Sequence, residues 1–171
     1  HVVAAAIKAM QEGKTRYTPA AGTLELRQAI CRKLKRDNGL TYEPTDIVVS
    51  NGAKHSLFNA LHAVCNPGDE VLLPAPYYEL IKMAGATPVL VTATEENGYL
   101  VTAQQLRDAI TDKTKALILN SPCNPTGAVY PDGRLMEIAA LAVEKDIYVI
   151  SDEIYECLVY DGAVHTSKPS P

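Results

Sequence analysis

Short runs of apolar, β-branched residues alternate with longer helical stretches after residue 45, and this alternation limits the possible folds more than any other feature. We predict strands at 46–50, 70–73, 88–92, 116–120 and 147–151, and helices at 54–64, 79–84, 103–110 and 135–144. Thr102 and Gln105 have the spacing of a capping box at the start of the third helix. Right-handed crossovers join strands that alternate with helices. We therefore expect an α/β fold, with a mainly parallel sheet and helices on both faces.

Upstream of residue 45 we predict a helix, a loop containing Pro and Gly at 17–22, and a second helix from residue 24 to about residue 36. There is no internal repeat, low-complexity tract or flexible linker, so we assign residues 1–171 to one domain. The first helix follows His1 directly, without an initiator Met or a cleavable signal pattern. We therefore expect the natural N-terminus to lie upstream, which leaves organelle targeting open.

The composition argues against several classes of partner. The 20 acidic and 16 basic residues are well mixed and give a formal net charge of −4, so the chain has no basic patch for nucleic acid or an anionic membrane. No apolar run approaches the roughly 20 residues of a transmembrane helix. Four cysteines are too far apart for a CxxC or Cys/His cluster: Cys31, Cys65, Cys123 and Cys157. We expect reduced thiols, a cytoplasmic location and no metal at His55, His62 or His165.

Polar segments follow predicted strands at four places, and ligands of a parallel α/β sheet gather at this carboxyl edge. In the first, Gly52, Ala53 and Lys54 open a helix and let backbone N–H groups approach an anion such as phosphate. An ordinary strand-to-helix turn is the alternative. The second segment is 120–127, NSPCNPTG. We expect at least one cis X-Pro bond there, which would direct the Asn124 amide inward.

The other two places carry a carboxylate and aromatic rings. Asp152 and Tyr155 follow the apolar run IYVI, so Asp152 lies at a buried strand end, where carboxylates are rarely found without a partner. A helix N-cap at Ser151 or Asp152 is the alternative. The fourth place, 74–78, offers a tyrosine pair that ends at Tyr78, with core packing as the alternative.

Together these segments resemble the class I aminotransferases of the fold-type I pyridoxal-phosphate enzymes, particularly the bacterial and plastid aspartate and prephenate aminotransferases. The resemblance rests on YTPAAGTLELRQAI, NGAKHSLFNAL, NPGDEVLLPAPYY, NSPCNPTGAVY and SDEIYE, which follow in family order and cover essentially the whole chain. NPTG followed by SDEIYE at this distance is highly specific. The resemblance implies part of a cofactor-binding large domain, with pyridoxal 5′-phosphate as the cofactor.

The resemblance also implies the reaction and the residues that direct it. Asp152 matches the carboxylate that keeps the pyridine nitrogen protonated, and Asn124 and Tyr155 match the residues that hydrogen-bond the phenolic oxygen. The implied reaction is transamination between a 2-oxo acid and aspartate or glutamate, or an aromatic or prephenate-derived amino acid. A C–S lyase, an aminocyclopropane-forming enzyme and a truncated, non-catalytic chain stay open as alternatives, because residues outside this chain select the reaction.

Other residues match the parts of the family that hold the cofactor. Gly52, Ala53 and Lys54 match the phosphate cradle, and Tyr78 is the candidate for the aromatic residue that stacks on the cofactor ring. Tyr17 matches a tyrosine that reaches the phosphate of the neighbouring subunit, which implies a homodimer.

The sequence departs from the family pattern at two points. Glu79 follows Tyr78 at once, whereas the family has several residues between the Pro-Tyr pair and the next helix. Either this loop is short, or residues are omitted and the main chain breaks between Tyr78 and Glu79. The chain also ends at Pro171, before the Ser-Lys segment whose lysine holds the cofactor covalently, and neither Lys54 nor Lys168 is placed to replace it. We therefore expect these 171 residues alone to be inactive.

Overall fold

The structure is a computed structural model that describes residues 1–74 and 77–167. In these ranges the α-helices are α1 (Val2–Gln11), α2 (Leu24–Lys33), α3 (Ala53–Val64), α4 (Tyr78–Met83), α5 (Ala103–Ala109) and α6 (Asp132–Lys145). The strands are β1 (Glu70–Leu73), β2 (Thr87–Leu90), β3 (Thr114–Asn120) and β4 (Tyr148–Asp152). None of the described helices combines the length and apolar character that a membrane span requires.

The strands form one parallel sheet in the order β2-β1-β3-β4. Each connection between consecutive strands contains a helix: α4, then α5, then α6. The α/β prediction is therefore confirmed. The pairing of β3 with β4 sets Asn120 opposite Asp152, so the two strands end at the same level of the sheet.

Helices cover both faces of the sheet because successive strand residues point to opposite sides. On one face, Leu72 of β1 and Leu117 of β3 pack in a cluster that includes Leu106 of α5 and Ile138 of α6. On the other face, the cluster joins side chains of β1 and β3 to α3 and α4: Val71, Leu73, Ala116, Ile118, Leu57, Leu61 and Ile81. Burying a side chain of this size stabilises the fold by about 1.5–3 kcal/mol.

Two predicted elements differ from the structure. The strand predicted at 46–50 is wrong: Pro44–Asp46 forms a 3-10 helix, and the Val49 N–H donates to the carbonyl of Ala21 at 3.0 Å instead of joining the sheet. The helix predicted to reach residue 36 ends as an α-helix at Lys33. It continues as a π-helix over Leu34–Asn38, and Gly39 follows with a φ of 71°.

The predicted capping box at the start of α5 is confirmed. The Gln105 N–H donates to Thr102 Oγ1 at 3.1 Å, and the Thr102 N–H donates to Gln105 Oε1 at 2.9 Å. These reciprocal bonds satisfy two backbone donors that the start of a helix otherwise leaves unpaired, which fixes where α5 begins.

Candidate active site

The candidate site lies at the carboxyl edge of the sheet, where β3 and β4 end at the same level beside the end of β1. The segment after β1 brings Tyr77 to this edge, the segment after β3 brings Asn124, and the end of β4 brings Asp152 and Tyr155. Parallel strands place all their carboxyl ends on one side, so residues far apart in sequence meet there.

Asp152 is the last residue of β4 and is 8% exposed. Its Oδ2 accepts a hydrogen bond from the Tyr77 hydroxyl at 2.7 Å, and its Oδ1 accepts one from the Ile154 N–H at 3.2 Å. The bond to Ile154 closes a turn, and no helix begins there in the described part of the chain, so the helix N-cap alternative is wrong. The backbone and one phenol together fix the orientation of this carboxylate.

Asn120 ties the ends of β3 and β4 together, a role that the sequence analysis did not assign. Its Nδ2 donates to the carbonyl of Asp152 at 3.0 Å, and its Oδ1 accepts from the Asn124 N–H at 3.0 Å. Asn120 is buried, and a buried amide at the end of an apolar strand is the signal that could have revealed it.

The segment 120–127 leaves β3 through two cis X-Pro bonds, Ser121–Pro122 and Asn124–Pro125, where at least one was predicted. The Asn124 Nδ2 donates to the Tyr155 hydroxyl oxygen at 3.1 Å. An amide and a phenol from two loops are therefore neighbours. Both side chains can also donate a hydrogen bond to an acceptor oxygen of a ligand.

The amino end of α3 forms the anion-binding part of the candidate site. Gly52 is its N-cap, with φ 85° and ψ 166°, and no side chain caps this end of the helix. The first N–H groups of a helix have no partner within the helix, so those of Ala53 and Lys54 suit an anion. His55 Nδ1 accepts the Asn51 N–H at 3.2 Å, which holds the turn in front of α3, and no motif in the sequence predicted this contact.

A cavity of about 360 Å³ connects this helix end to the end of β4. Ala53 and Ser56 of α3 and Asp152 and Ile154 are among the residues that line it. Its donor set fits pyridoxal phosphate: helix N–H groups suit the phosphate dianion, and a carboxylate suits the protonated ring nitrogen.

Tyr77 and Tyr78 have different surroundings. The Tyr77 ring is half-buried and packs against the cluster on the α3 face of the sheet. Burial and the hydrogen bond to Asp152 raise the pKa of the Tyr77 phenol well above its ordinary value, so it stays a donor. Tyr78, the candidate stacking residue, is 45% exposed, and Lys82 Nζ lies 4.3 Å from its ring centroid.

The main chain continues from Tyr78 into Glu79, since both belong to α4 and the Ile81 N–H donates to the Tyr77 carbonyl at 3.3 Å. The two alternatives for this segment, a short loop or omitted residues, both stay predictions. Tyr17 lies in the loop before α2 and is fully exposed. Lys168 lies outside the described residues.

Glu153 has partners separate from those of Asp152. Its carboxylate accepts from Ser151 Oγ at 2.7 Å and lies 2.9 Å from His165 Nε2, so His165 has a carboxylate partner. The possible ligand atoms of Glu153, Glu156 and His165 lie within 4.8 Å of one another, but Glu156 is already paired with Lys33. The Lys33 ammonium therefore already neutralises negative charge that a metal ion would otherwise neutralise.

The comparisons with known proteins agree with this geometry. Residues 1–169 match the family of class I and II aminotransferases. The chain is 52% identical to an aspartate aminotransferase of Bacillus sp. (strain YM-2), over 98% of this chain and 44% of that protein. It is 51% identical to a bifunctional aspartate aminotransferase and glutamate/aspartate-prephenate aminotransferase of Petunia hybrida, over 99% of this chain and 36% of that protein.

A solved structure gives the same result. The aspartate aminotransferase from Thermus thermophilus with maleate superposes with a TM-score of 0.93 and 47% identity, over 98% of this chain and 44% of that one. The chain thus spans less than half the length of these relatives. By sequence and by fold, it belongs to the class I and II aminotransferases.

Proposed function

We propose that the full-length protein carrying this chain is a pyridoxal-phosphate-dependent aminotransferase. It exchanges the amino group of aspartate or glutamate, or of an aromatic or prephenate-derived amino acid, for the oxo group of a 2-oxo acid. The observation that carries this proposal is the meeting of Asp152, the Asn124–Tyr155 pair and the start of α3 at one edge of the sheet. The names of the Bacillus and Petunia relatives favour aminotransferases over lyases and an acidic donor over others.

When bound, the cofactor supplies an electron sink for the electron pair released at the α-carbon of the substrate. Asp152 holds a proton on the ring nitrogen through a charge-assisted hydrogen bond, which strengthens that sink. Its 8% exposure excludes most water and thereby strengthens the interaction. Asn124 and Tyr155 donate hydrogen bonds to the phenolic oxygen and stabilise its negative charge.

The amino end of α3 orients the cofactor through its phosphate. The Ala53 and Lys54 N–H groups donate to the phosphate oxygens, and the positive end of the helix dipole favours the dianion. We further propose a homodimer in which Tyr17 binds the phosphate of the partner subunit. Its full exposure and the exposed apolar side chains of α1, Val2, Val3, Ile7 and Met10, support a covered interface here.

Covalent trapping tests the proposal. We expect borohydride reduction of the full-length protein with pyridoxal phosphate to label one lysine outside residues 1–171, because Lys54 lies at the phosphate end of the cofactor. Peptide mapping locates the label, and a coupled assay measures amino transfer from aspartate to 2-oxoglutarate. A label on Lys54, or on any other lysine up to Lys168, would show that the site is wrong.

A further inference from the structure

The Tyr77 hydroxyl donates a hydrogen bond to Asp152, the carboxylate that the proposed function assigns to the nitrogen of the cofactor ring. It lies 2.7 Å from Asp152 Oδ2, an ordinary length for a hydrogen bond from a hydroxyl to a carboxylate. The other carboxylate oxygen, Oδ1, accepts the Ile154 N–H at 3.2 Å. Both oxygens of Asp152 are therefore engaged by the chain itself.

A ring nitrogen that enters the cavity beside Asp152 must share this carboxylate with the two groups that already bind it. Asp152 is 8% exposed, whereas a planar ring nitrogen must approach a carboxylate oxygen to about 2.8 Å with its whole ring edge. The Ile154 bond belongs to the backbone at the end of β4 and cannot open without moving the strand end. The contact that can open is therefore the hydrogen bond from the Tyr77 hydroxyl.

Helix α4 holds Tyr77 in this position. The Tyr77 carbonyl accepts the N–H groups of Leu80 and Ile81 at 3.1 and 3.3 Å, and its ring packs against the cluster on the α3 face. Tyr77 is the N-cap of α4, so its backbone is fixed at the start of this helix. These contacts keep the phenol next to Asp152.

We propose that Tyr77 competes with pyridoxal phosphate for Asp152, so that displacement of this hydroxyl sets the affinity of the protein for its cofactor. This inference rests on the proposed function. A contact that must open before binding lowers the apparent affinity by the fraction of molecules in which it is open. An open fraction of about one in ten weakens binding about tenfold, mainly through slower association.

Tyr77→Phe removes the hydroxyl and keeps the ring in its cluster. In the cofactor-free full-length protein, we expect this variant to bind pyridoxal phosphate about tenfold more tightly than wild type. Stopped-flow absorbance should show faster association with unchanged dissociation. Tyr160→Phe is the matched control: Tyr160 is 73% exposed and has no role in the candidate site, so the affinity of this variant should stay within about twofold of wild type.

The possible outcomes separate this inference from the proposed function. If wild type and Tyr77→Phe bind pyridoxal phosphate equally, or if the variant binds more weakly, the competition is overturned while the proposed function stands. Tighter binding that arises from slower dissociation also overturns it, because that result means a better-fitting site. If neither protein binds pyridoxal phosphate, the proposed function fails and the inference falls with it.

Discussion

Asp152→Asn removes the negative charge of the carboxylate and keeps the shape of the side chain. The amide oxygen can still accept the Ile154 N–H, and the amide nitrogen can donate to the Tyr77 hydroxyl oxygen, so both present contacts survive in neutral form. The change from a charged to a neutral hydrogen bond should lower the stability by about 1 kcal/mol. The fold should therefore persist.

The substitution should weaken cofactor binding, through the hydrogen bond to the ring nitrogen, more than it lowers the stability of the fold. A hydrogen bond to a charged group contributes about 1.5–3 kcal/mol, which corresponds to roughly 10- to 150-fold weaker cofactor binding when it is lost. Transamination should fall further, to below about 1% of the wild-type rate, because an amide cannot stabilise the proton on the ring nitrogen.

Cofactor titration, the transamination rate and a thermal melt are measured together on the full-length variant. Glu153→Gln is the matched control. It makes the same chemical change one residue away, in a carboxylate whose partners are Ser151 and His165. Its cofactor affinity should stay within about twofold of wild type. A folded Asp152→Asn protein that keeps more than half of the wild-type rate would refute the role given to this carboxylate.

Two further predictions concern the backbone that supports the site. Gly52 has φ 85° and ψ 166°, a region that other residues enter at a cost of about 1–3 kcal/mol. Gly52→Ala should rotate the start of α3 and weaken pyridoxal phosphate binding about tenfold, while pyridoxal, which lacks the phosphate, loses less. Equal losses for the two ligands would argue against the phosphate cradle. Tyr130 is 2% exposed, and its hydroxyl oxygen accepts the buried Val101 N–H at 3.1 Å. Tyr130→Phe should lower the free energy of unfolding by about 1–3 kcal/mol, measured by denaturant titration, whereas Tyr160→Phe on the surface should not change it.

The sequence pattern was sufficient to predict the layered fold. The apolar runs of the sheet strands and the capping residues of α5 are local signals, and local signals determined which segments became strands and helices. The strand predicted at 46–50 failed because its residues have the composition of a strand, but the chain places them beside the N-terminal loop, where Val49 bonds to Ala21. Composition does not indicate which neighbour a strand-like segment will find.

The candidate site was predicted in its residue types but not in its contacts. Asp152, Asn124 and Tyr155 could be selected because motifs place them after strands. The contact between Tyr77 and Asp152 joins residues 75 positions apart, and the bond from Asn120 to the Asp152 carbonyl depends on the register of β3 and β4. Such pairings follow from strand order and loop length, which single residues do not encode.

The groups at the carboxyl edge of the sheet come from different segments of the chain, while backbone ladders hold β1, β3 and β4 in register. A deletion in the connection after β1 therefore changes that one connection and leaves the end of β4 in place. Natural variation in this connection can therefore change the affinity of such a protein for its cofactor without changing the residues that direct the reaction. Under the proposed competition between Tyr77 and pyridoxal phosphate, two homologues with the same catalytic residues would differ in how much of each is loaded at a given supply of vitamin B6.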